Sequence, residues 1–338
     1  MSAGGAGVAR VLEKLATSVK DGNYYEAHQM YHSVCQRYLK QRKIASALQL
    51  LHQGAKNMLE HDQLGSAADL ASRMLDVYDG EKLGVDDATR SRALDIFYDF
   101  PLRTEQCDQY VRNSLKWSAK FGEYPTGDPL MHHAIGSRYY KEKQYYDAEF
   151  HFLYGPSSSA AAYGHMAHDW STEDYFPDAG YFILRAVVQY LALRKIHHAA
   201  TAFEAFAKDL PADAKAQTVP FDKVAEFTVG KTPTPEVVVY KSSLVNFAQL
   251  LVLCAQMDAP AQFTVLRNEY RSVYSFDGFV VEMVEKIADV LFGLGPKRAA
   301  NPFEDIMKSF FGGAPGGGAA PRAARPSIQS SIQNLDMD

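Results

Sequence analysis

The chain has 338 residues, of which 47% are hydrophobic and 22% charged, so it can bury a large core as one elongated or two compact domains. Its 35 basic and 40 acidic residues give a net charge of -5, which argues against nucleic-acid binding because nucleic-acid binders present strongly positive surfaces. No stretch reaches the roughly 18 consecutive apolar residues of a membrane helix and the start lacks a signal-peptide pattern, so we expect a cytosolic protein without direct membrane insertion.

The predicted helices begin at residues 8–20, where apolar residues recur at helical spacing before the turn residues 21–23. Residues 23–63 contain two more helices, joined by a short basic turn. Ala27 and Ala47 are small and lie on the apolar stripes of these helices, which favours close packing in an antiparallel hairpin. The stripes consist of Tyr24, Ala27, Tyr31, Val34 and Tyr38 in the first helix, and Ile44, Ala47, Leu48, Leu51, Ala55, Met58 and Leu59 in the second.

Helix starts at Tyr24, Ile44 and Leu64 are 20 residues apart, so a helix pair repeats about every forty residues. This period is longer than that of tetratricopeptide repeats and is typical of other two-helix solenoids. The sequence YYDAE at residues 145–149 also echoes YYEAH at residues 24–28, which indicates a repeated packing unit. We therefore predict an all-α protein, a right-handed α-solenoid of stacked antiparallel helix pairs.

Capping signals continue this pattern along the chain. Asp86 and Asp87 predict the start of a helix that ends at Phe100, since Pro101 disfavours helical geometry in the residue before it. Asp128 followed by proline predicts another start. Helices are predicted as far as residue 206, which gives an N-terminal helical-repeat half at residues 8–155 and a C-terminal half at residues 156–311.

The helical rhythm stops at residues 211–240, which contain four prolines. Residues 224–229 and 237–240 are rich in β-branched or aromatic residues, so we predict a small β-hairpin insertion near residues 224–240. Helices are predicted again from Ser243 to residue 292, and a short amphipathic segment at residues 303–311. Glycine, alanine and proline dominate from residue 312, so we expect a disordered tail at residues 312–338.

His28, His32 and Cys35 fall at positions i, i+4 and i+7 of one predicted helix, so two imidazoles and a thiol could share a face and ligate zinc. A fourth ligand and the glutamate of an HExxH motif are missing, which favours a polar helix flank instead. The sequence has no GxSxG motif, phosphate-binding glycine loop or kinase-like catalytic set. We therefore predict no metal, no cofactor and no enzymatic activity, and we expect all three cysteines to be buried.

Surface for partners is predicted at both ends of the chain. Arg37, Lys40, Arg42 and Lys43 form a basic cluster at the tip of the first hairpin. This cluster is either a solvated turn or a docking site for an acidic protein, where such charges mainly raise the association rate. The aromatic-rich helix at residues 243–257 and the preceding valines are either core or a cradle for a partner's helix.

The segment GNYYEAHQ at residues 22–29 is followed in order by seven other distinctive segments. These are LxVY at residues 75–78, GDP at 127–129, IGS at 135–137, AExHFLYG at 148–155, NF at 246–247, LFG at 291–293 and PK at 296–297. Over about residues 8–311, they make the chain similar to the Golgi-to-ER traffic protein four family. That family is the α-solenoid subunit of the cytosolic machinery that delivers tail-anchored membrane proteins.

The resemblance implies a non-enzymatic scaffold. In this family the N-terminal helices dock a dimeric targeting ATPase, and the C-terminal helices with their hairpin hold a ubiquitin-like subunit. That subunit recruits a co-chaperone carrying the hydrophobic tail anchor, so the scaffold raises the effective concentration of client near the ATPase. In some lineages a large chaperone-like third subunit also binds the C-terminal half.

The resemblance also implies which residues form the two faces. The ATPase-docking residues would be Tyr24, His28, Gln29, Arg37 and Asp69. The residues that bind the ubiquitin-like partner would be Val237, Val239, Phe247, Leu250 and Leu251.

Two other functions stay open on the sequence alone. A helical-repeat subunit of another complex, such as a proteasome-lid-like assembly, would end in a winged-helix module, whereas the sequence after Ser243 is helical throughout. A metal-dependent enzyme would need ligands beyond the two histidines and the thiol on the first helix.

Overall fold

The computed structural model describes residues 3–173, 178–220 and 236–295. These residues form fifteen α-helices and two β-strands, and the chain divides into two compact units, Met1–Pro156 and Ser157–Asp338. This boundary lies next to the division predicted at residues 155 and 156. The binding roles assigned to the two halves stay predictions.

Eight helices make up the first unit, and each packs against a helix one or two positions away along the chain. They are α1 (Ala3–Lys20), α2 (Tyr24–Lys40), α3 (Ile44–Leu59), α4 (Leu64–Gly80), α5 (Asp87–Asp99), α6 (Glu105–Phe121), α7 (Pro129–Lys141) and α8 (Tyr145–Tyr154). Helix α3 contacts α2 and α4, and α7 contacts α8. A Cβ atom at Gly54 of α3 would lie 2.7 Å from the Tyr31 ring, so glycine allows α2 and α3 to approach closely.

The 20-residue spacing of the helix starts is explained by the backbone conformation of the turns that end α2, α3 and α4. Each helix is followed by a left-handed residue, namely Arg42, Asp62 and Lys82, with φ values of 56°, 58° and 53°. In each turn the N–H of the next residue donates to the carbonyl five residues earlier, at 2.8 to 2.9 Å. This bond satisfies a carbonyl that the helix end leaves open. The same turn therefore recurs every 20 residues and sets the repeat.

Two predicted helix starts are confirmed together with their capping geometry. Asp86 Oδ1 accepts from the Thr89 backbone N–H at 2.7 Å, and the Asp86 N–H donates to Thr89 Oγ1 at 2.9 Å, which forms a capping box at α5. Asp128 accepts from the Met131 N–H at 2.9 Å at the start of α7. Arg90 Nε lies 3.0 Å from the same Asp128 oxygen, so this cap also joins α7 to α5.

A buried helix is the centre of the second unit. The elements are α9 (Ser157–Glu173), α10 (Gly180–Ala192), α11 (Ile196–Asp209), a 3-10 turn (Ala212–Ala214), β1 (Lys215–Pro220), β2 (Glu236–Tyr240), α12 (Ser243–Gln256), α13 (Pro260–Glu269), α14 (Arg271–Tyr274) and α15 (Gly278–Val290). Helix α10 packs against α9, α11, α12 and α15, and twelve of its thirteen residues are buried. A helix that is apolar on all sides forms the core of such a unit.

The two strands pair antiparallel, with Gln217 opposite Val239 and Val219 opposite Val237, and the register shifts between Lys215 and Gln217. The second predicted strand, residues 237–240, is confirmed within β2. The first, residues 224–229, lies outside the described residues, and the partner that the structure describes is β1. The predicted amphipathic segment at residues 303–311 and the tail at residues 312–338 also lie outside the described ranges.

These elements confirm the predicted all-α solenoid class with a small antiparallel hairpin. Throughout the described ranges, every helix is too short or too polar to cross a lipid bilayer.

Candidate functional site

Helices α2 and α4 bring three polar side chains together at the surface of the first unit. His28 and His32 lie one turn apart on α2, and Asp69 lies on α4. Asp69 Oδ2 is 2.9 Å from His28 Nε2 and 2.5 Å from His32 Nε2. The two Nε2 atoms are 3.3 Å apart, so three polar atoms converge on one point. We call these three residues the His-Asp cluster.

The His-Asp cluster is accessible to a partner and also ordered by contacts. The exposed fraction of the side chain is 17% for His28, 33% for His32 and 52% for Asp69. The two imidazole rings pack edge to face, with centroids 4.7 Å apart. These ring contacts restrict rotation, so the cluster presents a defined polar surface.

The structure brings three of the five residues predicted for ATPase docking to this region. His28 and Asp69 belong to the His-Asp cluster, and Tyr24 lies one turn before His28 on α2. Gln29 and Arg37 are exposed on α2 but point in other directions. Nine residues of helix place Arg37 about 180° around the axis from His28, so Arg37 lies on the opposite side of α2.

Cys35, which the helical spacing places on the same face as the two histidines, does not join them in the structure. Cys35 is 1% exposed, and burial raises the pKa of its thiol although nearby Arg73 lowers it. The thiol is therefore a core group, as predicted for all three cysteines, which are buried. The true partner of His32 is Asp69, 37 residues away in sequence. The only local signal of this cluster was the spacing of the two histidines.

The basic cluster of Arg37, Lys40, Arg42 and Lys43 surrounds the turn between α2 and α3. All four are exposed. Arg42 Nη1 lies 3.1 Å from Glu81 Oε1 at the end of α4, so part of this positive charge is neutralised within the unit. An exposed pair of this kind contributes little to stability. The geometry is compatible with both the solvated turn and the docking site.

A buried histidine pair lies between α7 and α8. His132 Nδ1 is 3.1 Å from His151 Nδ1, and His132 Nε2 is 3.1 Å from the Thr126 carbonyl oxygen. Since a carbonyl only accepts, His132 donates from Nε2 and its Nδ1 accepts from His151. Burial of the imidazole holds the pKa of His151 well below its usual value, and the neighbouring His132 lowers it further. The pair is thus a structural contact in the core, with His151 uncharged.

In the second unit, side-chain amides hold β2 against α12. Asn246 Oδ1 accepts from the Tyr240 N–H at 2.7 Å, and Asn246 Nδ2 donates to the Tyr240 carbonyl at 2.8 Å. Gln249 Nε2 donates to the Val238 carbonyl at 3.1 Å. In the sequence, Asn246 is noticeable only as part of the NF motif. In the structure, its amide fixes the end of the strand on the helix.

The residues predicted to bind the ubiquitin-like partner lie on both sides of this junction. Phe247, Leu251 and Val237 are buried within the unit. The Phe247 ring stacks on two tyrosine rings, Tyr270 and Tyr274, at centroid distances of 5.2 and 4.9 Å. The side chains of Phe247, Leu251 and Val237 therefore pack beneath the surface of the free chain. The partly exposed members, Val239 and Leu250, are the ones a partner can reach directly.

Comparison with known proteins identifies a family that this chain is similar to. A family model described as Golgi to ER traffic protein 4 matches residues 41–311. The chain is 31% identical over 349 residues to Golgi to ER traffic protein 4 of Aspergillus fumigatus, covering 98% of each chain. It is 32% identical over 294 residues to that of Schizosaccharomyces pombe, covering 86% of this chain and 92% of the relative. The Homo sapiens homolog is 28% identical, covering 87% and 83%.

A solved structure is also similar over both units. The crystal structure described as C. therm. Get4 matches with a TM-score of 0.74 and 29% sequence identity, covering 95% of this chain and 99% of that chain. The similarity in sequence and fold therefore extends across the helices that carry the His-Asp cluster and the junction of β2 with α12.

Proposed function

The chain belongs to the Golgi to ER traffic protein 4 family, and we propose that it is a non-enzymatic cytosolic scaffold linking a dimeric targeting ATPase to a ubiquitin-like subunit. In this role it delivers tail-anchored membrane proteins to the endoplasmic reticulum. Family membership supports a role in Golgi-to-ER traffic, and the homologues are named as traffic proteins. The observation that carries the proposal is a family match that covers helices of both units, which supports one binding face on each unit.

The proposed ATPase face is the part of the first unit around the His-Asp cluster and Tyr24. It combines a half-exposed carboxylate, two imidazoles and a phenol within about two turns of helix. Such a mixture of polar and aromatic groups suits a protein interface, where aromatic residues supply area and charges fix orientation. The basic cluster lies at the other end of α2 and is a separate polar surface.

The proposed face for the ubiquitin-like subunit is the surface formed by β2 and α12. Val239 and Leu250 are partly exposed there, above the buried Phe247 and Leu251. The hydrogen bonds of the Asn246 side-chain amide hold β2 rigidly on α12. Because a rigid apolar surface loses little entropy on binding, these bonds support affinity indirectly. The competing winged-helix reading is disfavoured because residues 243–295 form helices without a described strand.

Binding measurements on the full chain test the two faces separately. Asp69→Lys should weaken binding of the dimeric ATPase by tenfold or more, because it reverses a charge at the centre of the proposed face. Glu204→Lys is the matched control, since Glu204 is an exposed acidic residue in the middle of α11. Equal effects of the two charge reversals would overturn the proposed ATPase face.

The second face is tested with Leu250→Asp and Val239→Asp, which should abolish capture of the ubiquitin-like subunit and leave ATPase binding intact. Val265→Asp is the control, since Val265 is an exposed apolar residue on α13. Phe247→Asp would not serve, because a charge inside the core unfolds the unit regardless of any partner. Retained capture by both surface variants would contradict this part of the proposal.

A further inference from the structure

The His-Asp cluster has the donor set of a transition-metal site. Two histidines one turn apart on a helix present their ring nitrogens on the same face, as in helical zinc motifs. Asp69 adds a carboxylate oxygen from the facing helix α4. Both rings turn Nε2 toward this oxygen, so one ion can reach all three donor atoms.

The distance between the two imidazole donor atoms matches a tetrahedral zinc site, and the carboxylate oxygen lies beside both of them. Zinc binds nitrogen and oxygen ligands at about 2.0 to 2.1 Å, so neighbouring ligands of a tetrahedral site lie about 3.3 Å apart. The two Nε2 atoms are already 3.3 Å apart. Asp69 Oδ2 is closer, at 2.9 and 2.5 Å from them. A shift of the Asp69 carboxylate by about 1 Å or less would complete the spacing.

Charge and access also suit a metal ion. Two neutral imidazoles and one carboxylate compensate half of the charge of a divalent cation without adding a second acidic group. Because the Asp69 side chain is 52% exposed, a position opposite the ligands faces solvent and can hold water. Three protein ligands with one open position is a common arrangement for zinc.

The cluster differs from the other histidine contacts of the chain. Among the described residues, His28, His32 and Asp69 form the one group of three potential ligands whose donor atoms all lie within 4.8 Å of one another. His165 Nδ1 lies 2.5 Å from Asp209 Oδ2, but this contact on the second unit joins two groups. A two-group contact chelates a metal weakly, so it provides an internal control.

We infer that the His-Asp cluster binds one Zn²⁺ ion through His28 Nε2, His32 Nε2 and Asp69 Oδ2, with water in the open position. On binding, each imidazole carries its proton on Nδ1 and coordinates through Nε2. The inference stands on the geometry of the three side chains and does not depend on the proposed scaffold role. All three ligands lie within the proposed ATPase face.

The test is titration of the purified full-length chain with Zn²⁺ in competition with a chromophoric chelator. The wild type should bind one equivalent at this site. His28→Ala, His32→Ala and Asp69→Asn should each weaken Zn²⁺ binding by at least about tenfold, since even the loss of an outer partner of a ligand costs 10- to 100-fold. His165→Ala should bind Zn²⁺ like the wild type.

Equal Zn²⁺ affinity in the wild type and in the variant with all three substitutions would overturn the inference. So would a loss of the same size in His165→Ala. Circular dichroism and thermal unfolding without metal check that each variant is folded. Asp69→Asn is the decisive variant if an alanine variant does not fold, because it keeps the shape of a half-exposed side chain and removes the anionic ligand. Visible absorption of bound Co²⁺ gives an independent readout, and its tetrahedral signal should disappear in Asp69→Asn.

Discussion

The Nδ1 atoms of His132 and His151 lie 3.1 Å apart inside the first unit, and the Tyr139 ring stacks on His151 at a centroid distance of 5.5 Å. Two neutral rings can share one proton in this contact, whereas two imidazolium ions would each present a donor. Burial and the His132 neighbour therefore hold the pKa of His151 well below its usual value. Protonation of His151 is much more favourable in the unfolded chain.

We expect this difference to make the protein sensitive to acid. The pKa of His151 in the unfolded chain is about 6.5, above that in the folded chain, so the unfolded chain binds more protons below pH 6.5. The free energy of unfolding therefore decreases as pH falls through about 6.5, by at most about 1.4 kcal/mol per pH unit for one group. Above about pH 6.5, His151 is neutral in both the folded and the unfolded chain. Below the pKa of His151 in the folded chain, the free energy of unfolding no longer decreases through this group.

Urea unfolding at about pH 7.5 and about pH 5.5 measures this contribution. His151→Asn keeps a polar side chain in the pair but removes the titrating group. The variant should lose less stability between the two pH values than the wild type does. An equal loss in both proteins would mean that other groups cause the acid sensitivity.

The left-handed turn residues predict a stabilising substitution. Lys82 has a φ of 53° at the end of α4, where a side chain costs about 1 to 2 kcal/mol relative to the right-handed region. Glycine removes this cost but increases the freedom of the unfolded chain, so Lys82→Gly should stabilise the first unit by about 0.5 kcal/mol. In contrast, Lys116→Gly, at an exposed position inside α6, should destabilise it by about 1 kcal/mol. Thermal unfolding distinguishes the two, and shifts of the same sign would contradict the turn argument.

Close packing of α9 on α11 predicts a large effect of one methyl group. A Cβ atom at Gly164 would lie 2.2 Å from the Ala202 carbonyl oxygen and 2.7 Å from the Ala205 Cβ. Since backbone cannot move aside easily, Gly164→Ala should destabilise the second unit by about 2 to 3 kcal/mol. Gly65→Ala is the control, because nothing lies within 4 Å of a Cβ atom there. Chemical unfolding should show little change or slight stabilisation for the control, and equal losses would refute the packing argument.

Features that depend on a few neighbouring residues were predicted well from the sequence. The caps at Asp86 and Asp128 act on N–H groups three residues away, so the residue types alone reveal them. The turns at residues 42, 62 and 82 repeat at a fixed step that the apolar pattern also shows. Helix class and boundaries followed from such local chemistry.

Contacts between distant segments could not be predicted in the same way. Asp69 reaches His32 across 37 residues because α3 returns the chain so that α4 packs beside α2, and no local pattern encodes that pairing. The strand pair joins β1 to β2 on either side of residues 221–235. The periodicity of α12 places Phe247 on the apolar face of the helix. It does not indicate whether this face is covered by the same unit or by a partner. Tyr270, between α13 and α14, and Tyr274 of α14 stack on the Phe247 ring, so its own unit covers it.

Arg37 and Asp69 together define the extent of the proposed ATPase face. Arg37 lies on the side of α2 opposite His28 and about 13 Å farther along the helix, so one partner group cannot contact both residues. Arg37→Glu should weaken ATPase binding by less than tenfold, and the effect should decrease at high salt because the side chain is exposed. Asp69→Lys should have the larger effect.

Because the two positions are far apart, their effects on the free energy of binding should add to within about 0.5 kcal/mol in the double variant. Isothermal titration calorimetry of the two single variants and the double variant at low and high salt measures this sum. A coupling energy above about 1 kcal/mol would mean that Arg37 and Asp69 act on the same partner group. In that case the ATPase would have to enclose the tip of the hairpin, and the face would be larger than the surface around the His-Asp cluster.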